Sequence, residues 1–141
     1  MLAAPMPRSS GTPSLTSPWR ILVVDENSDV ARGLVYLLEI MGHQALYLSN
    51  PHHALTKVDE FRPDVAFIDI GASSPEGNSL ALVLRDHYAP HELRLVALSP
   101  YGDTRMSNAS LTAGFDAYLS KPVKERDVET VLGVVFDKRL W

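Results

Sequence analysis

Four places in the chain hold residues that could do chemistry together: the acidic pair Asp25-Glu26, the carboxylate Asp69, the hydroxyl of Ser99 and the ammonium of Lys121. Three carboxylates held close together repel, and the cluster is tolerable only if protons or a cation neutralise it. A hard divalent ion with oxygen ligands, such as Mg²⁺, does this while keeping waters free to be replaced by a phosphate. Lys121 adds a second positive charge and Ser99 a hydroxyl donor. A carboxylate nucleophile, a metal, a lysine and a hydroxyl are the parts of in-line phosphoryl transfer to an aspartate.

For these groups to meet, the chain must carry them to one place, and each of them closes an apolar run. Ile21 to Val24 leads into Asp25-Glu26, and Val65-Ala66-Phe67-Ile68, after Pro63 and Asp64, leads into Asp69. Leu93 to Leu98 leads into Ser99, and Phe115 to Leu119 into Ser120-Lys121-Pro122. Short apolar runs bounded by breakers read as strands buried on both faces of a parallel sheet. All their carboxyl ends then lie along one edge, where open α/β sheets place ligand sites. Residues 44, 30 and 22 positions apart in sequence can converge there.

The intervening segments read as helices. Asn27 or Ser28 caps one that runs to about Met41, with Val30, Leu34, Leu37, Leu38 and Met41 on one face and Gly42 as its stop. Gln44 to Ser49 alternates enough for a second strand, and Asn50-Pro51 opens a helix ending near Phe61. Ser79 to Tyr88 carries Leu80, Val83 and Leu84 at helical spacing. A less apolar helix spans Asp103 to Ala113 before Gly114, and the last, Lys124 to Lys138, places Val128, Val131, Leu132 and Val135 on one stripe. Five strands alternating with five helices predict an α/β fold, a doubly wound five-stranded parallel sheet with helices on both faces. The flavodoxin-like order 2-1-3-4-5 is the economical choice, because it sets the Asp25 and Asp69 strands side by side.

The totals bound the rest. The 141 residues hold one domain of ordinary size, and thirteen Lys plus Arg against seventeen Asp plus Glu, a net charge of -4, argue against a nucleic-acid binder working by bulk charge. Without cysteine there is neither disulfide nor thiolate chemistry. Residues 1–18, rich in Pro, Ser and Thr, read as a disordered leader on a cytoplasmic protein, and no run approaches a membrane span. The histidines show no metal-ligand spacing. A cofactor binder of this topology needs a Gly- or Ser/Thr-rich phosphate cradle after the first strand, where this chain has the repelling Asp25-Glu26.

The segments Ile21-Leu22-Val23-Val24-Asp25-Glu26-Asn27, Pro63 to Gly71, Val96-Ala97-Leu98-Ser99 and Ala113 to Pro122 resemble a response-regulator receiver domain (CheY-like) of two-component signal transduction. The resemblance covers residues 19–141. It implies that Asp69 is the phosphoacceptor, that Asp25 and Glu26 are the acidic pair around Mg²⁺, and that Gly71 offers its carbonyl to the metal. It further implies that Ser99 is the hydroxyl that turns toward the phosphoryl group, Tyr118 the aromatic switch and Lys121 the phosphate-binding lysine, and it allows a cis Lys121-Pro122 bond. The expected function is that of a single-domain response regulator. It accepts a phosphoryl group from a histidine kinase or histidine phosphotransfer protein and signals to a protein target through the face of the fourth helix, fifth strand and last helix. It turns over no external substrate, although Mg²⁺-dependent self-phosphorylation and slow hydrolysis of the aspartyl phosphate are expected.

Three positions depart from the family pattern. The second acidic residue is the longer Glu26, Ser73 stands where a proline is usual, and Pro100 follows the switch hydroxyl where Ala or Gly is usual; Gly77 falls where the family has its glycine. These departures leave a second reading open: a receiver-like interaction module no longer regulated by phosphorylation.

Overall fold

The apolar runs form the strands β1 (Arg20–Val24), β2 (Gln44–Leu48), β3 (Val65–Asp69), β4 (Arg94–Ser99) and β5 (Ala117–Ser120) in the computed structural model, which describes residues 18–71, 76–100 and 112–137. The strands are all parallel and lie in the order β2-β1-β3-β4-β5. β3 is central and every one of its residues is buried, which is why its sequence is continuously apolar up to Asp69. The register pairs Val24 with Ile68 and Asp69 with Leu98, so the ends of β1, β3 and β4 stand level at one edge.

Helices cover both faces, as the alternation of strand residues requires. Ile21, Val23, Val65, Phe67, Val96 and Leu98 pack with α1 (Ser28–Ile40) and the C-terminal α4 (Glu125–Val135). Leu22, Val24, Ala66, Ile68, Leu95 and Ala97 pack with α2 (Ala54–Phe61) and α3 (Gly77–His87). A 3-10 turn, Pro51–His53, precedes α2, and the Asn50 side chain accepts the His52 N–H at 2.9 Å. Gly42 adopts φ +99° just past α1, where its N–H donates to the Glu39 carbonyl at 2.9 Å, so it ends the helix as expected. The leader up to residue 17 and Ser73 lie outside the described residues, as does the helix read over 103–113 up to residue 111.

The structure departs from the sequence reading in its helix faces. Val30 and Val83 are 41% and 44% exposed, while the neighbouring Ala31 and Ala81 are fully buried. Helical spacing picks out large apolar residues, whereas a helix lying close on a sheet turns small ones onto the line of nearest approach. The fifth strand begins at Ala117 rather than Phe115. Phe115 is buried among the residues that pack with α2 and α3, and Asp116 accepts the Leu95 N–H at 2.8 Å and Arg85 Nη2 at 2.9 Å. Arg85 also donates to the carbonyls of Leu93 at 2.8 Å and Gly114 at 3.1 Å, tying the end of α3 to the starts of β4 and β5. Burial pushes the Asp116 carboxyl above its ordinary value, against the opposing pull of the Leu95 N–H and the Arg85 charge.

One packed histidine makes stability depend on pH. His43, 6% exposed between α1 and β2, accepts the Trp19 N–H through Nδ1 at 3.0 Å, and burial lowers its pKa from 6.5. A proton on Nδ1 would oppose that N–H, so the folded state resists protonation that the unfolded chain accepts. The contribution is therefore complete above pH 6.5 and is lost as pH falls through the depressed folded value. Urea midpoints are expected to drop between pH 7.5 and 5.5, and to drop less in His43→Gln; an equal drop in both would exclude His43 as the cause.

Candidate functional site

The carboxyl edge of the sheet brings two aspartates and a lysine into direct contact. Asp69, the last residue of β3, is 2% exposed, and Asp25, the residue after β1, is 1% exposed. Lys121 Nζ lies 2.8 Å from Asp25 Oδ2 and 3.1 Å from Asp69 Oδ1, bridging both carboxylates. Burial alone would pull the Lys121 ammonium down, but the hydrogen bonds from both aspartates and their charges outweigh it and hold its pKa above the ordinary value. The lysine stays charged, as two buried carboxylates require.

Local sequence fixes each group. Asp25 Oδ1 accepts the Asn27 N–H at 3.0 Å, while the Asn27 side chain accepts the Asp29 and Val30 N–H groups at 3.1 and 3.2 Å and so starts α1. Asp69 Oδ1 accepts the Gly71 N–H at 3.1 Å. Its other oxygen, Oδ2, is buried and has no hydrogen-bond partner among the described residues, and the same is true of Ser99 Oγ. Ser99 is 1% exposed at the end of β4, and its carbonyl accepts the Lys121 N–H at 3.0 Å. That bond places Lys121 one step beyond β5, and the following Lys121-Pro122 peptide is cis, in line with the sequence reading.

Gly77 makes the edge possible from the other side. A Cβ there would lie 2.2 Å from the Asp69 carbonyl oxygen and 3.0 Å from Ile70 Cγ2, so only glycine lets α3 begin against the end of β3. Gly77→Ala is expected to cost about 2–3 kcal/mol, the upper range of overpacking, because the obstacle is backbone and cannot turn aside. A urea titration showing wild-type stability would contradict that.

Other residues singled out in the sequence are placed less centrally. Glu26 is exposed at the mouth of the cleft lined by Asp25, Ile68, Asp69 and Gly77, so the acidic pair splits into one buried and one exposed carboxylate. Among the described residues no three acidic or histidine side chains stand grouped as a ready-made metal site; the edge holds two buried aspartates bridged by Lys121. Tyr118 is half-buried against the residues that pack with α2 and α3, and it borders a groove shared with Arg126, Thr130 and Val134 of α4. Pro100 is exposed, with Cγ 3.5 Å from where a Cβ on Gly71 would stand. The sequence reading missed two elements: the Asn27 N–H that orients Asp25, and the His52 Nε2 to Glu76 Oε2 contact at 3.0 Å between the turn before α2 and the start of α3.

A doubly wound sheet in this order, with buried aspartates and a lysine at its carboxyl edge, defines a flavodoxin-like protein of CheY type. Residues 21–132 match the family of response regulator receiver domains, and the chain belongs to that family, the receivers of two-component signalling. It is 32% identical over 109 residues to the DNA-binding response regulator MtrA of Mycobacterium tuberculosis, covering 77% of this chain and 46% of MtrA. It is 29% identical over 108 residues to an uncharacterised 76.5 kDa protein of Thiocystis violacea, covering 77% of this chain and 16% of that protein. The chain thus spans less than half the length of these relatives. Among solved structures, a CheY-like receiver domain from Methylobacillus flagellatus superposes with a TM-score of 0.72 at 27% identity, covering 84% of this chain and 99% of the other. A CheY-like receiver domain protein from Methanospirillum hungatei gives 0.74 at 26% identity, covering 88% and 98%. Receiver domains in general bind Mg²⁺, interact with kinases or phosphotransfer proteins, and are not enzymes that turn over an external substrate. No helix among the described residues is long and apolar enough to cross a membrane.

Proposed function

We propose that Asp69 accepts a phosphoryl group from a phosphohistidine on a kinase or phosphotransfer protein, and that the chain signals by the rearrangement this provokes. The observation that carries the reading is the split environment of the Asp69 carboxylate. Oδ1 is held by Lys121 and the Gly71 N–H, while Oδ2 is buried without a partner among the described residues. A carboxylate pinned through one oxygen presents the other as an oriented nucleophile. Oδ2 forms its bond to phosphorus as the bond from phosphorus to the donor imidazole nitrogen breaks, the electron pair leaving on that nitrogen. Lys121, already beside Oδ1, stabilises charge on the transferred oxygens, and Ser99 offers its hydroxyl to them.

The donor set fits a hard divalent cation. Asp25, Glu26, Asp69 and the Gly71 carbonyl would hold Mg²⁺: the buried Asp25 and Asp69 share the single ammonium of Lys121, so the acidic edge carries a negative charge without a counter-charge. When bound, the ion supplies charge compensation for the phosphoryl oxygens. Phosphorylation adds about -1.5 to -2 charges at the end of β3. Drawing Ser99 and Lys121 toward that charge shifts the ends of β4 and β5, and with them the surface around Tyr118 and α4, as a population change between two arrangements. The protein target that reads this surface would be met in the cytoplasm.

Incubation with Mg²⁺ and acetyl phosphate, followed by phosphate-affinity electrophoresis and mapping of the modified peptide, tests the reading. Uptake on the peptide containing Asp69 is the expected result. A chain that takes up no phosphoryl group, even with histidine kinases present, would be a receiver-like module without this chemistry.

A further inference from the structure

The residue that follows β4, Pro100, lacks the main-chain hydrogen-bond donor that Gly71, at the same level beyond β3, possesses. The register pairs Asp69 with Leu98, and the Ile70 N–H continues the ladder to the Leu98 carbonyl at 3.1 Å. Two residues further along each strand, Gly71 and Pro100 therefore stand at the same level beyond the edge. A Cβ on Gly71 would lie 3.4 Å from Asp69 Oδ1 and 3.5 Å from Pro100 Cγ, so carboxylate and pyrrolidine ring flank one point. Gly71 directs its N–H at Asp69 Oδ1 at 3.1 Å. Pro100 has no N–H to direct. At the end of β4 the side-chain donor among the described residues is then the Ser99 hydroxyl, buried and without a partner.

We propose that Pro100 limits the rate of phosphoryl transfer to Asp69 by withholding a main-chain donor from the phosphoryl group, which leaves transfer dependent on the Ser99 hydroxyl. The inference rests on Asp69 being the phosphoacceptor. In the transfer from acetyl phosphate, Asp69 Oδ2 bonds to phosphorus while the bond to the acetate oxygen breaks and acetate leaves with the electron pair. Negative charge spreads over the three peripheral oxygens during this step, and each fixed donor aimed at them lowers the barrier. A residue with an N–H at position 100 would supply one more such donor.

The ring has bulk as well as a missing proton, and two substitutions separate these. Pro100→Ala restores the N–H and removes bulk; Pro100→Val restores the N–H and keeps a branched side chain at the same place. The full chain, both variants, Ser99→Ala and the Ser99→Ala/Pro100→Ala pair are compared for the initial rate of phosphoryl uptake from acetyl phosphate with Mg²⁺, after thermal melts establish that each is folded. Both Pro100 variants are expected to take up phosphate about tenfold faster than the parent, as one added hydrogen bond to a charged group warrants. Ser99→Ala is expected to cost about 10²-fold in the parent and clearly less in the Pro100→Ala background. Faster uptake in Pro100→Ala alone would assign the effect to bulk and overturn the donor argument, as would parent-like rates in both variants. Uptake in neither the parent nor any variant would instead overturn Asp69 as phosphoacceptor.

Discussion

Asp69→Asn is expected to abolish phosphoryl uptake and at the same time to make the protein harder to unfold. The amide has no nucleophilic oxygen of comparable strength, yet its carbonyl can still accept the Gly71 N–H, so the turn after β3 is kept. The stability gain follows from charge. Two carboxylates, 1% and 2% exposed, share the single ammonium of Lys121 in the native edge. Removing one charge gives up the Asp69–Lys121 attraction, but it also removes the Asp25–Asp69 repulsion and the cost of burying the Asp69 charge and leaves Asp25 and Lys121 as a matched pair, for a net gain on the order of 1 kcal/mol. Urea unfolding of parent and variant in metal-free buffer, beside the uptake assay, checks both halves. A variant that is inert but less stable would mean that the Asp69 charge is needed to hold Lys121 in place.

Lys121→Ala tests the same balance from the opposite side and carries the larger energetic effect. It leaves Asp25 and Asp69 buried with no cation between them, and breaking a buried pair by removing one partner costs about 3–5 kcal/mol. Because Lys121 is 22% exposed, water relieves part of that, and about 3 kcal/mol is expected in metal-free buffer. Millimolar Mg²⁺ is expected to recover part of the loss, since a divalent ion between the aspartates does electrostatically what the ammonium did. Denaturation curves with and without Mg²⁺ read this directly. Equal losses in both conditions would argue against the aspartates as metal ligands.

Much of this edge was legible in the sequence, because the signals that place it are one-dimensional. Continuous apolar runs ending in Asp, Ser or Lys gave each strand to within about two residues, and the polar strand ends named the three charged groups that meet, Asp25, Asp69 and Lys121. What was hidden follows from physics that sequence spacing does not carry. The contact between Lys121 and Asp25 joins residues 96 positions apart and depends on strand order, which was inferred from economy. Asp25 and Glu26 look alike on paper, but the chain leaves the sheet between them and only the first is buried. Ala31 and Ala81 escaped notice because small side chains make weak hydrophobic signals even where the packing is tightest. The Asn27 N–H could have been found by asking where the acidic loop's own main-chain donors go once its side chain is spent as a helix cap.

The two flanks of the site differ in how their side chains are committed. On the β1 side both Asp25 oxygens are engaged, one by the residue that also anchors the start of α1, so any shift there would fray a helix. On the β4 side Ser99 Oγ is bound to nothing among the described residues. A charge arriving on Asp69 would therefore find the Asp25 carboxylate already spoken for and the Ser99 hydroxyl still uncommitted, and because the Ser99 carbonyl holds the Lys121 N–H, a turn of that residue would be passed straight on to the end of β5.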